Sequence, residues 1–493
     1  MGLKGISGLV VDVGEKPSGL IGGAVHHYVP PDNLYTLKPK YKEESIDCIM
    51  SEGLLFKTKF NRILLKEWMN FCKVGGQIIA VFDDLDGSNL RLLKSEIFTM
   101  FRNDAEFDWK AEGEKTTVTL KKLSPVLSPG DSIDRWTFGI ITNGKKDDAV
   151  DRIIESIQAQ GIKECEIIVC GKYDGKKKKE VALIEFGEKD ELGWITKKKN
   201  LIASKAKYQN LAILHDRIFP SSDWYTGMKK YGNYFEVLTC RVLKDNKRAG
   251  DWVTTGRDLR SLFNRSAYGD SDEALRRSDA PPVIGLLEYN DWDEGVYIPG
   301  FFNIMKRRIW ERCPYNETLF WNEFEDGELS ALHHKLGIVP RFNPHSTCNT
   351  DEFRFVNMPL YSFDSEKAGK SNSSAFLLRR RILARAEGML SSRILSKVLL
   401  AYFSIERRAG FLGALRKKVF MSTVLDVSQL GVGMKSIKEG SPIQLGGSNR
   451  IVSALKQKTA DSIFFEAKDE ATGVVHPYRA IQRHKLFAIK YEK

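Results

Sequence analysis

Apolar runs closed by turn residues alternate along this chain with segments whose apolar positions recur every three or four residues, so strands and helices are expected in alternation. Gly8–Gly14 (GLVVDVG) predicts a buried strand that ends in a turn, and Ser45–Phe56 (SIDCIMSEGLLF) predicts another. Phe60–Lys73 (FNRILLKEWMNFCK) has helical spacing and reaches a further strand, QIIAVFDD, through the Gly75-Gly76 turn. Residues 1–125 read as one α/β unit. Leu123–Asp134 (LSPVLSPGDSID), rich in Pro, Ser and Gly, then reads as a linker with few packing contacts.

A second α/β pattern starts at Trp136. Trp136–Gly144 (WTFGIITNG) predicts a strand ending in Thr142-Asn143-Gly144. Asp147–Gly161 has helical spacing with an acidic first turn and a closing glycine, and Cys165–Gly171 (CEIIVCG) predicts the next strand. Strand, helix, strand within about thirty-five residues is a βαβ unit, which implies a parallel sheet with ligands outside the carboxyl ends of its strands. A helix carrying Lys197, Lys198, Lys199 and Asn200 leads into Leu211–Pro220 (LAILHDRIFP), an apolar strand that stops at His215, Asp216 and Arg217. Phe320–Ser330 (FWNEFEDGELS) adds the carboxylates Glu323, Glu325 and Asp326. Residues 370–420 place apolar and basic side chains on opposite faces of helices. They suit an anionic membrane interface, or ordinary helices packed on the preceding domain. The tail, 421–493, shows short strand-like runs and no recognisable fold.

Composition narrows the class. At 493 residues the chain exceeds one ordinary core, and two or three domains are expected. Hydrophobic residues at 42% and charged residues at 28% fit a globular protein rather than a disordered or fibrous one. No apolar run approaches the length of a membrane span, and the N-terminus lacks a secretory layout, so a cytoplasmic location is expected, peripheral on the inner face of the membrane if the basic helices engage lipid. Seven scattered cysteines without a C-x-x-C pair suggest small core residues in a reducing compartment. The net charge of +12 is concentrated: Phe376–Phe420 holds eleven Lys/Arg against Glu387 and Glu406, a local +9 that leaves +3 elsewhere. No nucleic-acid recognition motif accompanies it, and no nucleic-acid partner is expected.

Two family resemblances follow from these segments. DVG, then IDCIMS, then KEWMNFCKVGGQIIAVF resembles the class I methyltransferases that use S-adenosylmethionine. In that family a glycine-rich turn follows the first strand and an acid ends the second. Here the turn is Gly14-Glu15-Lys16-Pro17, and Tyr28 stands where the acid is expected. The resemblance implies an N-terminal Rossmann-like, methyltransferase-type domain over 1–125 that does not bind S-adenosylmethionine. His26 and His27 are expected at a surface or turn.

From Trp136 to Phe355 the chain resembles the GT-A glycosyltransferases, most like the inverting family 2 enzymes. The resemblance rests on ITNG, CEIIVCG, the KKKN helix, the His215-Asp216-Arg217 tripeptide and VYIPGFFNIMKRRIWERCPYNETLFWNEFEDGELS. It implies an α/β GT-A domain over 135–360 that moves a sugar from a nucleotide-diphosphate donor to a hydroxyl of a glycan or lipid-linked acceptor, in surface polysaccharide assembly. Thr142, Asn143, Lys199, Asn200, His215, Asp216 and Arg217 would face the donor. Trp321 and Glu323 would face the acceptor, and Asp326, with Glu325 beside it, would be the base. Adjacent carboxylates in a half-buried pocket repel, so one of the two is expected to have a raised pKa. Arg217 departs from the family pattern by standing where a metal-binding acid is often found. Either Asp216 and His215, joined by His345, hold Mn²⁺ or Mg²⁺, or Arg217 itself supports the diphosphate. The competing classes are a methyltransferase or bifunctional enzyme, and a non-catalytic scaffold that keeps the fold.

Overall fold

The computed structural model of the chain describes residues 8–18, 25–29, 37–58, 60–83, 87–102, 104–254, 283–287, 289–290, 292, 295–317, 319–321, 325–351, 360–362, 423–426, 436–445, 448–458, 462–471, 473 and 475–481. The basic segment 376–420 and Glu323 lie outside them. The architecture is mixed α/β.

In the N-terminal unit β1 (Val10–Val13) lies between β2 (His26–Tyr28) and β3 (Ile46–Glu52), and β4 (Cys72–Asp83) follows, all parallel. β6 (Lys115–Lys122) pairs antiparallel with β4, and β5 (Ala105–Glu112) closes the edge as the other half of a hairpin. Helices α1 (Leu54–Lys57), α2 (Asn61–Phe71) and α3 (Gly87–Phe101) complete the unit. The apolar stripe read from FNRILLKEWMNFCK is the face that α2 buries, with Leu64, Leu65, Trp68 and Phe71 fully enclosed. Removing a side chain such as Trp68 costs about 3–5 kcal/mol.

The second unit is built on β7 (Arg135–Ile141), α4 (Asp147–Gln158), β8 (Glu164–Cys170), β9 (Ala182–Ile184), α5 (Ile195–Lys205), β10 (Asn210–His215), β11 (Ile218–Pro220), α6 (Trp224–Tyr231), β12 (Val237–Lys244) and β13 (Lys247–Arg248). It continues through β14 (Val253–Thr254), β15 (Val283–Leu286), β16 (Val296–Tyr297), β17 (Phe302–Lys306), α7 (Arg307–Arg312), α8 (Glu325–Lys335), β18 (Pro340–Thr350) and β19 (Leu360–Ser362). The main sheet runs β11-β18-β12-β17-β10-β7-β8-β9. β7, β8, β9 and β10 are parallel, and β17 enters antiparallel between β10 and β12. Its strands read as near-continuous apolar runs because helices cover both faces; β7 is buried from Trp136 onward. β16, β14, β15 and β19 form a small second sheet.

The tail, left without a predicted fold, contains a five-stranded sheet: β20 (Thr423–Asp426), β24 (Val475–Ile481), β23 (Ser462–Asp469), β22 (Ser448–Lys458) and β21 (Pro442–Leu445), in that order. The linker differs from expectation. The Asp131 side chain is fully buried and accepts a hydrogen bond from Lys306 Nζ (2.8 Å), which also donates to Asn210 (2.7 Å) and Asn233 (2.9 Å). Asp134 accepts from the Tyr225 hydroxyl. A composition typical of loops therefore conceals one charged side chain that clamps the segment to the sheet. Six of the cysteines are buried, Cys165 is exposed, and none is in a disulfide.

Candidate functional site

The register of the central strands brings two separate stretches of sequence together. His215, the last residue of β10, pairs with Ile141, the last of β7, so the residues that follow both strands meet at the carboxyl edge. Thr142 Oγ1 donates to Asp216 Oδ2 at 3.0 Å and accepts the backbone N–H of Gly144 at 3.2 Å. His215 is buried, whereas Asp216 and Arg217 are half-buried at the mouth. The Arg217 guanidinium lies 6.0 Å from the Phe301 ring centroid.

The turn between β16 and β17, Ile298-Pro299-Gly300-Phe301, joins this edge to the acidic helix. Phe301 accepts the backbone N–H of His215 (3.0 Å), and the Gly300 N–H donates to Asp326 Oδ2 (2.7 Å). The Gly300 carbonyl accepts from Lys199 Nζ at 2.7 Å. Lys199 is fully buried and lies 3.4 Å from Glu325 Oε1. A glycine is required here by close approach: a Cβ on residue 300 would stand 2.4 Å from Glu325 Oε1 and 3.1 Å from Lys199 Nζ. Consecutive helical residues point about 100° apart, and the pair divides accordingly. Glu325 turns inward to Lys199, and half-buried Asp326 accepts from Gly300 and, through Oδ1, from the Gly327 N–H (2.8 Å). Burial pushes the Glu325 carboxyl up to about 7, with the Asp326 charge adding to the shift and Lys199 opposing it. Burial raises Asp326 as well, against the backbone N–H groups that favour its ionised form.

The other predicted residues fall differently. Asn143 is exposed in the turn after β7, where its side chain accepts from the Lys145 N–H (3.2 Å). Trp321 is half-buried beside the start of α5, its backbone N–H donating to the Gly193 carbonyl (3.0 Å). Asn200 does not reach the edge. Its amide donates to the Tyr315 carbonyl (2.9 Å) and Glu317 (3.0 Å) and accepts from Trp310 (2.8 Å), which commits it to holding the 310–317 segment. His345 is also apart. β11 and β18 are antiparallel with Ile218 opposite Thr350, so His345 lies five positions back along β18, roughly 15 Å of strand from the Asp216 end. Burial lowers its pKa, and the nearby charges of Lys230, Lys38 and Arg241 add to the shift. Among the described residues no cluster of three or more His, Cys, Asp or Glu is arranged to hold a metal. Asp216, with one oxygen already shared with Thr142, does not make a protein-built metal site by itself.

Three features escaped the sequence reading. Lys198 Nζ donates to the Thr142 carbonyl and to Asp190, fixing the end of β7 to the loop before α5. Asp351, whose N–H donates to the Arg217 carbonyl (3.4 Å), pairs with Arg152, which itself lies 4.6 Å from the Phe219 ring. Gly171, with φ 129°, sits where a Cβ would stand 2.0 Å from the Thr142 carbonyl oxygen. Only this last had a local signal, a glycine directly after an apolar strand.

No protein-family model matches the chain, and no curated protein sequence matches it. Among solved structures it is similar to the crystal structure of S. aureus TarS, at 12% identity over 56% of this chain and 74% of that chain, with a TM-score of 0.26. It is similar to the same protein in complex with UDP, at 13% identity over 56% and 74%, with a TM-score of 0.27. It is also similar to GalNAc-T7 with UDP, GalNAc and Mn²⁺, at 10% identity over 82% of each chain, with a TM-score of 0.29. Likenesses of this size carry no statement about activity.

Proposed function

We propose that residues 135–360 form a GT-A glycosyltransferase that moves a sugar from a nucleotide-diphosphate donor to a hydroxyl of a glycan or glycolipid. The observation that carries the proposal is the Gly300–Phe301 turn, whose backbone groups bind the His215–Arg217 strand end and the Glu325–Asp326 helix at once. The sheet order, with four parallel strands followed by one antiparallel insertion, supports the same reading.

In this reading the donor diphosphate lies against Arg217, a fixed cation at the mouth that offsets the charge developing on the leaving group. Among the described residues no cluster of three or more His, Cys, Asp or Glu could hold a metal ion, and in this reading the cation at the diphosphate is Arg217. Asp326 accepts the proton of the acceptor hydroxyl as its oxygen attacks the anomeric carbon and the nucleotide diphosphate departs, which inverts the configuration. The Gly300 and Gly327 N–H groups hold the carboxylate in place, and the Lys199–Glu325 pair beneath sets its field. Trp321 offers a flat face to the acceptor sugar.

The test is a screen of nucleotide sugars for thermal stabilisation of the full chain, with and without Mn²⁺, followed by product analysis with the best donor. A donor that stabilises the wild type but not Arg217→Gln is the expected result. No shift with any donor would sink the proposal.

The N-terminal unit is proposed to be a scaffold of methyltransferase type that holds no cofactor. Asp12 Oδ2 accepts the Ser18 N–H (2.7 Å) and lies 3.7 Å from His27 Nδ1, so the turn after β1 is occupied by its own chain. Tyr28 packs edge-on against Tyr41 with ring centroids 5.6 Å apart. Equilibrium dialysis with S-adenosylmethionine checks this, and micromolar binding would overturn it.

A further inference from the structure

The helix that presents Asp326 is tied at its other end to the N-terminal unit. Asp326, Ser330 and His334 stand four residues apart along α8, which places them on one face of the helix. Each binds the backbone between Val296 and Gly300. Asp326 Oδ2 accepts the Gly300 N–H (2.7 Å), Ser330 Oγ accepts the Ile298 N–H (3.4 Å), and His334 Nε2 donates to the Val296 carbonyl (2.8 Å), which can only accept. Burial lowers the His334 imidazole to about 4, with the Arg62 charge adding and the bond to Val296 opposing, so at neutral pH the ring is uncharged and its one N–H goes to that carbonyl. Three rungs spread over about 12 Å of helix fix α8 in register with residues 296–300.

The foot of this ladder rests on α2 and α3. α8 ends at Gly337, with φ 69°, whose N–H donates to the His334 carbonyl (3.1 Å) while the Ile338 N–H donates to the His333 carbonyl (2.9 Å). The His334 carbonyl also accepts from Arg62 Nη1 (3.3 Å), so a cation of α2 sits at the negative end of the helix whose positive end holds Glu325 and Asp326. A Cβ on residue 337 would stand 2.6 Å from Met100 Cα, so this end of α8 abuts the backbone of α3. Val296, the lowest partner on the other rail, packs in one apolar cluster with Phe60 and Ile63 at the start of α2.

We propose that the N-terminal unit is a positioning module for the base: Arg62, Phe60 and Ile63 hold the far end of α8 and of β16, and the His334 and Ser330 rungs transmit that placement to Asp326. The catalytic half of this inference rests on the transferase reading, whereas the mechanical half stands on the contacts alone. Arg62, Ser330 and His334 are positioning residues, because they act through Asp326. Displacing a base by about an ångström is enough to cost up to about a hundredfold in rate.

The experiment is hydrogen exchange of the full chain, read by mass spectrometry, beside initial rates with the donor that the nucleotide-sugar screen selects. Arg62→Met keeps an apolar stem and removes the charged donor. It is expected to raise exchange about tenfold in peptides covering 296–301 and 325–330, with peptides of β7 and α4 unchanged. kcat is expected to fall about tenfold or more while the donor KM stays within about twofold, because the base moves and the donor edge does not. Arg62→Lys is expected to recover much of both. Phe60→Leu, a milder loss from the shared apolar cluster, is expected to give the same pattern at smaller size even if Arg62→Met folds poorly, and Ser330→Ala to do so from within the ladder. Exchange at wild-type level in both peptides for Arg62→Met and Phe60→Leu, or a raised KM with kcat unchanged, overturns the proposal. If the wild type turns over no donor, the transferase reading fails, and the exchange comparison still decides whether the N-terminal unit holds α8.

Discussion

At the scale of single residues the candidate site is governed by two carboxylates with different surroundings. Glu325 is enclosed with Lys199, and Asp326 looks outward while two N–H groups hold it. Asp326→Asn keeps the shape and removes the base. A positioned base contributes about 10²–10⁴ in rate, so kcat is expected to drop by at least a hundredfold with the melting temperature little changed, measured by initial rates beside calorimetry. The Glu325 carboxyl, raised to about 7, adds a pH signature. The folded state binds more protons than the unfolded state between about 4.5 and 7, so this group's contribution to stability declines as pH rises through that window. Glu325→Gln is expected to flatten that slope in denaturant titrations run at several pH values. Transfer activity should meanwhile fall as pH is lowered through about 7, because the coupled pair takes up a proton.

At the scale of elements, packing around the strand ends decides which residues meet. The β16–β17 turn packs against both Lys199 and the acid pair, and a methyl group at Gly300 has no room. Gly300→Ala is expected to cost about 1–3 kcal/mol in urea unfolding and to depress kcat, since the displaced turn carries both the Asp326 and the His215 backbone hydrogen bonds. The clamp at the other end of β17 titrates in the opposite sense. Burial pushes Lys306 down to about 7, with Asp131 opposing that shift. The unfolded chain therefore binds more protons between about 7 and 10.5, and this pair's contribution rises with pH across that range. Lys306→Met is expected to remove the slope. Asp131→Ala, which strands the buried ammonium at neutral pH, should cost about 3–5 kcal/mol by denaturant titration.

At the scale of the whole molecule, the two α/β units are joined by a mixed interface. Phe60 and Ile63 pack with Trp252, Trp292, Val339 and Phe342, and Lys66 meets Glu236 beside them. Glu236→Ala leaves Lys66 buried without its carboxylate. It is expected to split a single calorimetric unfolding transition into two, one for each unit. The sequence alone marked β1, β3, α2 and β4 of the first unit and β7, α4, β8, α5 and β10 of the second, because apolar runs and helical spacing are local, and it marked His215–Arg217 and Glu325–Asp326 as unusual polar groups at element ends; the Gly75-Gly76 turn it expected lies inside β4, and short strands such as β2 and β11 carried no such signal. Where those groups went was decided by the tertiary structure. Asn200 and His345 carried suitable chemistry, but the fold turned one to the 310–317 segment and left the other well back along β18. Asp131 read as a linker residue until Lys306, far away in sequence, met it in the interior. Side-chain chemistry is written residue by residue, whereas encounters across a sheet depend on strand order and register, which are settled only when the whole core packs.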